Sequence, residues 1–218
     1  PGYAPGRKDG TAPGQFLEPD LGRTRPVRRS KHVAMKVHNK GTFLPTRIGR
    51  VMSDRTQVVW YTDPHNVWCW GFEPMMRRLE VVYPDVVAVD VRMGGLFEDF
   101  TPVREQWARM SGGRWTESVR AFFDAVATQH RMPMDAERMM SAVDDFSSTW
   151  PACIAAKAAE LQGHDLGRRY LRALREAWCL DGRGIHRTAV QTEVAKEAGL
   201  DVDAFTKALE DGSAERAF

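Results

Sequence analysis

The sequence predicts an α/β protein with one strand–helix–strand unit, a long helical region after it and an extended basic arm in front. Three observations carry this. Val58-Val59-Trp60-Tyr61 is an apolar run of strand length, and a second strand pattern follows a helical stretch. From Pro102 onward, apolar residues recur at helical spacing. Residues 1–26 hold five Pro and five Gly and almost no periodicity.

The arm comes first. Residues 1–56 carry twelve Lys and Arg against four Asp and Glu, a balance of +8, and the remaining residues balance at −6. A basic arm on a mildly acidic body suits an anionic surface. It has too few aromatics for a nucleic-acid stacking platform, so a protein partner or a second copy of the chain is the expected contact. Val33–Val37 alternates like an edge strand, and Ile48 and Val51 mark a weaker candidate.

The strand at 57–62 reads as buried on both faces. It stops at Asp63-Pro64, and Asn66 is a good cap for a helix with Trp68, Phe72, Met75 or Met76, and Leu79 on its inner face. Pro74 falls inside that helix. Val87, Val89, Val91 and Met93 then alternate with Ala88, Asp90 and Arg92 in a half-exposed strand, which should lie parallel to the first. The domain boundaries expected are 1–56 for the arm, 57–97 for the βαβ half and 98–218 for about six helices.

Those helices announce themselves by stripes and stop signals. Trp115 to Val126 carries one stripe and Met139 to Phe146 the next, core rather than ligand groove at this spacing. Pro151 opens a third helix that stops near Gly163, and Tyr170 to Trp178 lie on a fourth. Thr188 with Gln191 forms a capping box for a fifth, ended by Gly199, and Asp201 caps a sixth.

Composition excludes several classes. No apolar run reaches the ~20 residues that span a bilayer. Cys69, Cys153 and Cys179 stand too far apart for a disulfide scaffold or a CxxC zinc knuckle, and a reducing cytoplasm is the expected compartment. His65 and Cys69 could share a metal, but they are two ligands short of four-coordinate zinc, so no metal is expected. The other histidines (His32, His38, His130, His164, His186) read as surface residues, and Cys153 and Cys179 as core.

The most informative stretch is Asp63-Pro64-His65-Asn66-Val67-Trp68-Cys69-Trp70-Gly71-Phe72-Glu73-Pro74. A cysteine in the first turn of a helix that follows a strand meets unpaired backbone N–H groups and the positive end of the dipole, which favour its thiolate. This stretch resembles the active-site segment of the DsbA-like thioredoxin-fold family, in particular its cytoplasmic FrnE-like branch. So do Met93-Gly94-Gly95-Leu96, Trp150-Pro151-Ala152-Cys153, Leu171 to Ala177, and Ala198-Gly199-Leu200-Asp201. The resemblance runs from about residue 57 to 218 and implies a thioredoxin-like βαβ unit with a large all-α insertion. It also implies a C-terminal hairpin and helix that this sequence lacks. The second neighbour of the 57–62 strand would then come from residues of the gene beyond Phe218, in preference to another chain or the Val33–Val37 stretch.

One departure changes the chemistry. The family's attacking cysteine falls on Asn66 and only the second, Cys69, is kept. Disulfide exchange needs a thiolate and a resolving thiol, and Asn66 is neither. The resemblance therefore implies a redox-inactive binding or assembly subunit that needs no cofactor. The alternative is an enzyme of the kappa-transferase or 2-hydroxychromene-2-carboxylate isomerase kind, with glutathione or another small thiol in the cleft, or monothiol chemistry at Cys69. His65, Asn66 and Trp68 are the candidate ligand-binding residues, and Cys69 the candidate catalytic one.

Overall fold

The computed structural model describes residues 55–218. The basic arm up to residue 54, the Val33–Val37 and Ile48/Val51 strand candidates, His32 and His38 lie outside the described residues. β1 (Thr56–Thr62) leads into α1 (Val67–Val82) and then β2 (Val87–Met93). The two strands pair in parallel with Thr56 opposite Val87 and Thr62 opposite Met93, as a strand–helix–strand sequence demands.

β1 departs from the expectation of burial on both faces. Val58, Trp60 and Thr62 turn inward, whereas Val59 is 49% and Tyr61 71% exposed. Among the described residues nothing covers that outer face. The register of α1 departs too. Its buried residues are Val67, Trp70, Glu73 and Met76, which leaves Trp68, Phe72 and Met75 outward. Both stripes have helical spacing. The inner one wins because Trp70 Nε1 donates to Pro133 O at 2.9 Å and Glu73 finds arginine partners there.

Eight helices follow β2, rather than about six. They are α2 (Thr101–Met110), α3 (Trp115–His130), α4 (Ala136–Met140), α5 (Trp150–Glu160), α6 (His164–Cys179), α7 (Thr188–Glu197), α8 (Val202–Glu210) and α9 (Ser213–Ala217). The Met139–Phe146 stripe is helical only to Met140, and α2 and α9 are additional. The expected capping box is absent. Thr188 is already helical, and Gln191 turns into the core, where its Nε2 donates to Ile185 O at 2.9 Å. Asp201 does cap α8, accepting from Ala204 N at 3.0 Å.

Two apolar clusters hold these elements. The smaller joins Trp60 of β1, Val91 of β2, Met76 of α1 and Leu171 of α6. The larger gathers Val67 and Trp70 with residues from α3 to α9, including Tyr170, Leu174 and Phe205. A buried ion pair ties the strand–helix–strand unit to α6. Arg175 Nη1 donates to Glu73 Oε2 at 2.7 Å, its Nη2 donates to Thr62 Oγ1, and Arg172 reaches the other Glu73 oxygen at 3.0 Å. Arg168 adds a two-oxygen grip on Glu80.

Candidate functional site

The site begins where β1 ends. Asp63 is buried, and its carboxylate organises the loop. Oδ1 accepts from His65 N at 2.8 Å, and Oδ2 accepts from Leu96 N at 2.9 Å and from the Cys153 thiol at 3.4 Å. One side chain thus joins the entry of α1 to the loop after β2 and to α5. Gly95 in that second loop has φ +57°, and a Cβ there would stand 2.6 Å from the Phe218 ring.

Asn66 takes the cap position. Its backbone is extended and its side-chain oxygen accepts from Trp68 N at 2.9 Å. Cys69 follows one turn later, half-buried and in no disulfide with a described residue. The other cysteines are sealed in the core. Burial first, then the Asp63 carboxylate, drives the Cys153 thiol far above its ordinary range, and burial pushes Cys179 up to about 12.

His65 is not a loop residue open to solvent. Its ring packs against Phe146 at 4.9 Å, Trp178 at 5.6 Å and His186 at 6.0 Å between centroids. Burial, with a smaller push from His186, lowers its pKa to about 3, so the imidazole is neutral at any ordinary pH. His186 corrects the sequence reading as well. It is an inner residue whose Nε2 lies 3.2 Å from Asp145 Oδ1, drawn in because it completes the aromatic packing around His65. Trp68 sits at the rim, edge-on to the His130 ring at 6.2 Å.

His65, Asn66 and Trp68 come together on the wall of one pocket of about 320 Å³, closed on its other sides by the loop after β2, α2, α3, the 143–149 segment and α6. Cys69 is not part of that wall. A larger hollow of about 820 Å³ lies along α6, shares no residue with this pocket and is lined by paired arginines and carboxylates. Among the described residues no three metal-ligating side chains cluster, so His65 and Cys69 gain no further ligand. Sequence reasoning missed Asp63, Phe146 and Trp178. Asp63 carried a signal, an acid two residues before a buried loop N–H, while the other two come from positions distant in sequence.

The comparisons with known proteins agree with this architecture. Over 161 residues the chain is 29% identical to the ClpXP adapter protein SpxH of Halalkalibacterium halodurans, covering 74% of this chain and 51% of that protein. The chain spans about half the length of the curated relatives it matches. A proposed protein disulfide isomerase from Nitrosomonas europaea has a similar fold, with a TM-score of 0.59 and 19% identity across 75% of this chain and 74% of that one. The cytosolic disulfide reductase DsbM from Pseudomonas aeruginosa is also similar, at a TM-score of 0.55 and 20% identity over 75% of this chain and 76% of that one. The family model described as thioredoxin matches residues 60–218, from the middle of β1 to the last residue, and the chain belongs to that thioredoxin family.

Proposed function

We propose that this chain is a redox-inactive adapter that binds a protein partner and presents it to a ClpXP-type protease in the cytoplasm. The observation that carries the reading is Asn66. The position where this fold places an attacking thiol holds an amide whose oxygen is committed to Trp68 N, and an amide neither attacks a disulfide nor leaves from one. The names of the curated relatives supply the protease. In this reading residues 1–56 are the basic arm that grips the partner, 57–97 the thioredoxin-like half and 98–218 the helical insertion. His65, Asn66 and Trp68 belong to a binding wall. Among the described residues no helix is long and apolar enough to cross a membrane, which suits a partner in water.

The glutathione alternative has less support. Glutathione brings two carboxylates, and no Lys or Arg lines the pocket at Asn66 to receive them. Two assays test the adapter reading. Purified chain should not reduce insulin with dithiothreitol, whereas Asn66→Cys should gain turnover through a 66–69 pair across one helix turn. Partners cross-linked to the chain should be degraded faster by ClpXP when the chain is present. Insulin turnover by the unaltered protein that survives Cys69→Ala, with no effect on ClpXP, would overturn the reading.

A further inference from the structure

We propose that the hollow between α1 and α6 is a docking site for an acidic segment of a partner protein. The choice of a protein over a free ion rests on the adapter reading; the unanswered positive charge in the hollow does not. Six arginines line this space of about 820 Å³: Arg77 of α1, then Arg168, Arg169, Arg172 and Arg175 of α6, and Arg183 in the loop that follows. Four of them are answered from within the chain. Arg168 holds Glu80, Arg172 holds Glu73 and Glu176, Arg175 holds Glu73, and Arg183 holds Glu193 and Glu197. Arg77 and Arg169 are exposed, and neither has a carboxylate within 4.0 Å among the described residues.

The register of the helices explains why these two are left over. Glu73 meets Arg172 and Arg175 while Glu80 meets Arg168, so α1 and α6 run antiparallel along this contact. Arg77 stands one turn after Glu73 and one turn before Glu80 on the same face of α1. That sets it opposite the span of α6 between Arg168 and Arg172, where it meets arginines instead of acids. Arg169 stands on another wall, where a Cβ on Gly199 at the end of α7 would lie 3.9 Å from its Nη1. Two unanswered guanidinium groups on separate walls suit two carboxylates carried on one chain, each held as Arg168 holds both oxygens of Glu80. The rest of the lining argues against a compact or continuous polyanion. Asp165, Glu176 and Asp181 also face this space and would repel a nucleotide or a nucleic-acid backbone, whereas a peptide can space its acids among neutral residues to match. The +8 balance of residues 1–56 suits the same partner chemistry.

Fluorescence anisotropy on the full chain tests this with a rhodamine-labelled glycine–serine peptide carrying two pairs of glutamates, and with its glutamine counterpart. The expected result is saturable binding of the glutamate peptide, about tenfold tighter than the glutamine one and weakened by salt. Arg77→Gln with Arg169→Gln should weaken it about tenfold and leave the thermal melt in place, since both side chains are exposed. Arg109→Gln with Arg114→Gln removes the same charge from exposed positions outside the hollow and should change the affinity by less than about twofold. If the first double variant does not fold, Arg77→Gln alone should weaken binding about threefold. Four results would each overturn the proposal: no saturable binding, equal affinity for the two peptides, equal losses from the two double variants, or an affinity unmoved by Arg77→Gln with Arg169→Gln, which would hand the peptide to the basic arm. Displacement by inorganic tripolyphosphate at lower concentrations than by unlabelled peptide would overturn it in favour of a phosphate ligand. The ClpXP assay keeps the two readings apart. Faster degradation of the partner without peptide binding overturns the docking site alone, and peptide binding without that effect overturns the adapter reading alone.

Discussion

At the scale of single residues, burial decides what each titratable side chain can do. His65 is neutral when folded and titrates near 6.5 when unfolded, so the unfolded chain takes up the proton first. Stability from this group is therefore complete above about pH 6.5 and is lost as pH falls toward 3, at up to ~1.4 kcal/mol per pH unit. His186, held below its ordinary range by burial, acts in the same direction. Urea unfolding measured from pH 7.5 down to pH 4 should show this decline, and His65→Phe should flatten it; an equal slope in the variant would assign the effect elsewhere. The cysteines divide by the same logic. Iodoacetamide at pH 8 should label Cys69 in the native protein and leave Cys153 and Cys179 untouched, since both are fully buried with raised pKa values. Peptide mass spectrometry before and after unfolding reads this directly. The cap at Asn66 was legible in the sequence because side-chain capping is local, involving residues two apart. The environment of His65 was not, because Phe146, Trp178 and His186 reach it from far along the chain.

At the scale of elements, α6 holds the molecule together through Arg175. Its guanidinium is almost fully buried between Glu73 and Thr62 and lies over the Trp60 ring at 5.1 Å. Removing Arg175 leaves Glu73 Oε2 without its buried partner, while Arg172 still holds Oε1. Arg175→Met should cost about 3 kcal/mol, the low end for breaking a buried pair, and adding Glu73→Gln should restore part of it, because the amide leaves no charge half-paired. Chemical denaturation of the three proteins checks the order; a single variant as stable as the double would show that the charge is solvated after all. The strands were readable from β-branched and aromatic runs, and α5 to α8 from Pro151, Gly163, Gly199 and Asp201. The inner face of α1 was not readable. Trp68, Phe72 and Met75 make as good a stripe as Val67, Trp70 and Met76, and the stripe that packs inward includes a carboxylate, Glu73, whose arginine partners lie about a hundred residues away.

At the scale of the whole molecule, the sheet of β1 and β2 is apolar on its covered face, and on the other face Val59 and Tyr61 stand beside Asp90 and Arg92. Val59 and Tyr61 project from the face that nothing among the described residues covers. Replacing both with lysine should change stability by no more than about 1 kcal/mol, as for other surface positions, and should lower concentration-dependent self-association. Thermal melting with analytical ultracentrifugation measures the two effects, and a loss of several kcal/mol would mean that the face is covered in solution. The Arg175 bridge also sets a timetable. Thr62 leaves the ribosome 113 residues ahead of the arginine that will hold it, and Glu73 leaves 102 residues ahead. At about 5–20 residues per second, the newborn strand waits roughly 5–20 s for its partner. Through that interval Trp60 has Met76 and Val91 beside it but not Leu171, which α6 also supplies, so the packing of the strand stays incomplete until α6 is made, and slow codons placed before α6 would lengthen the wait.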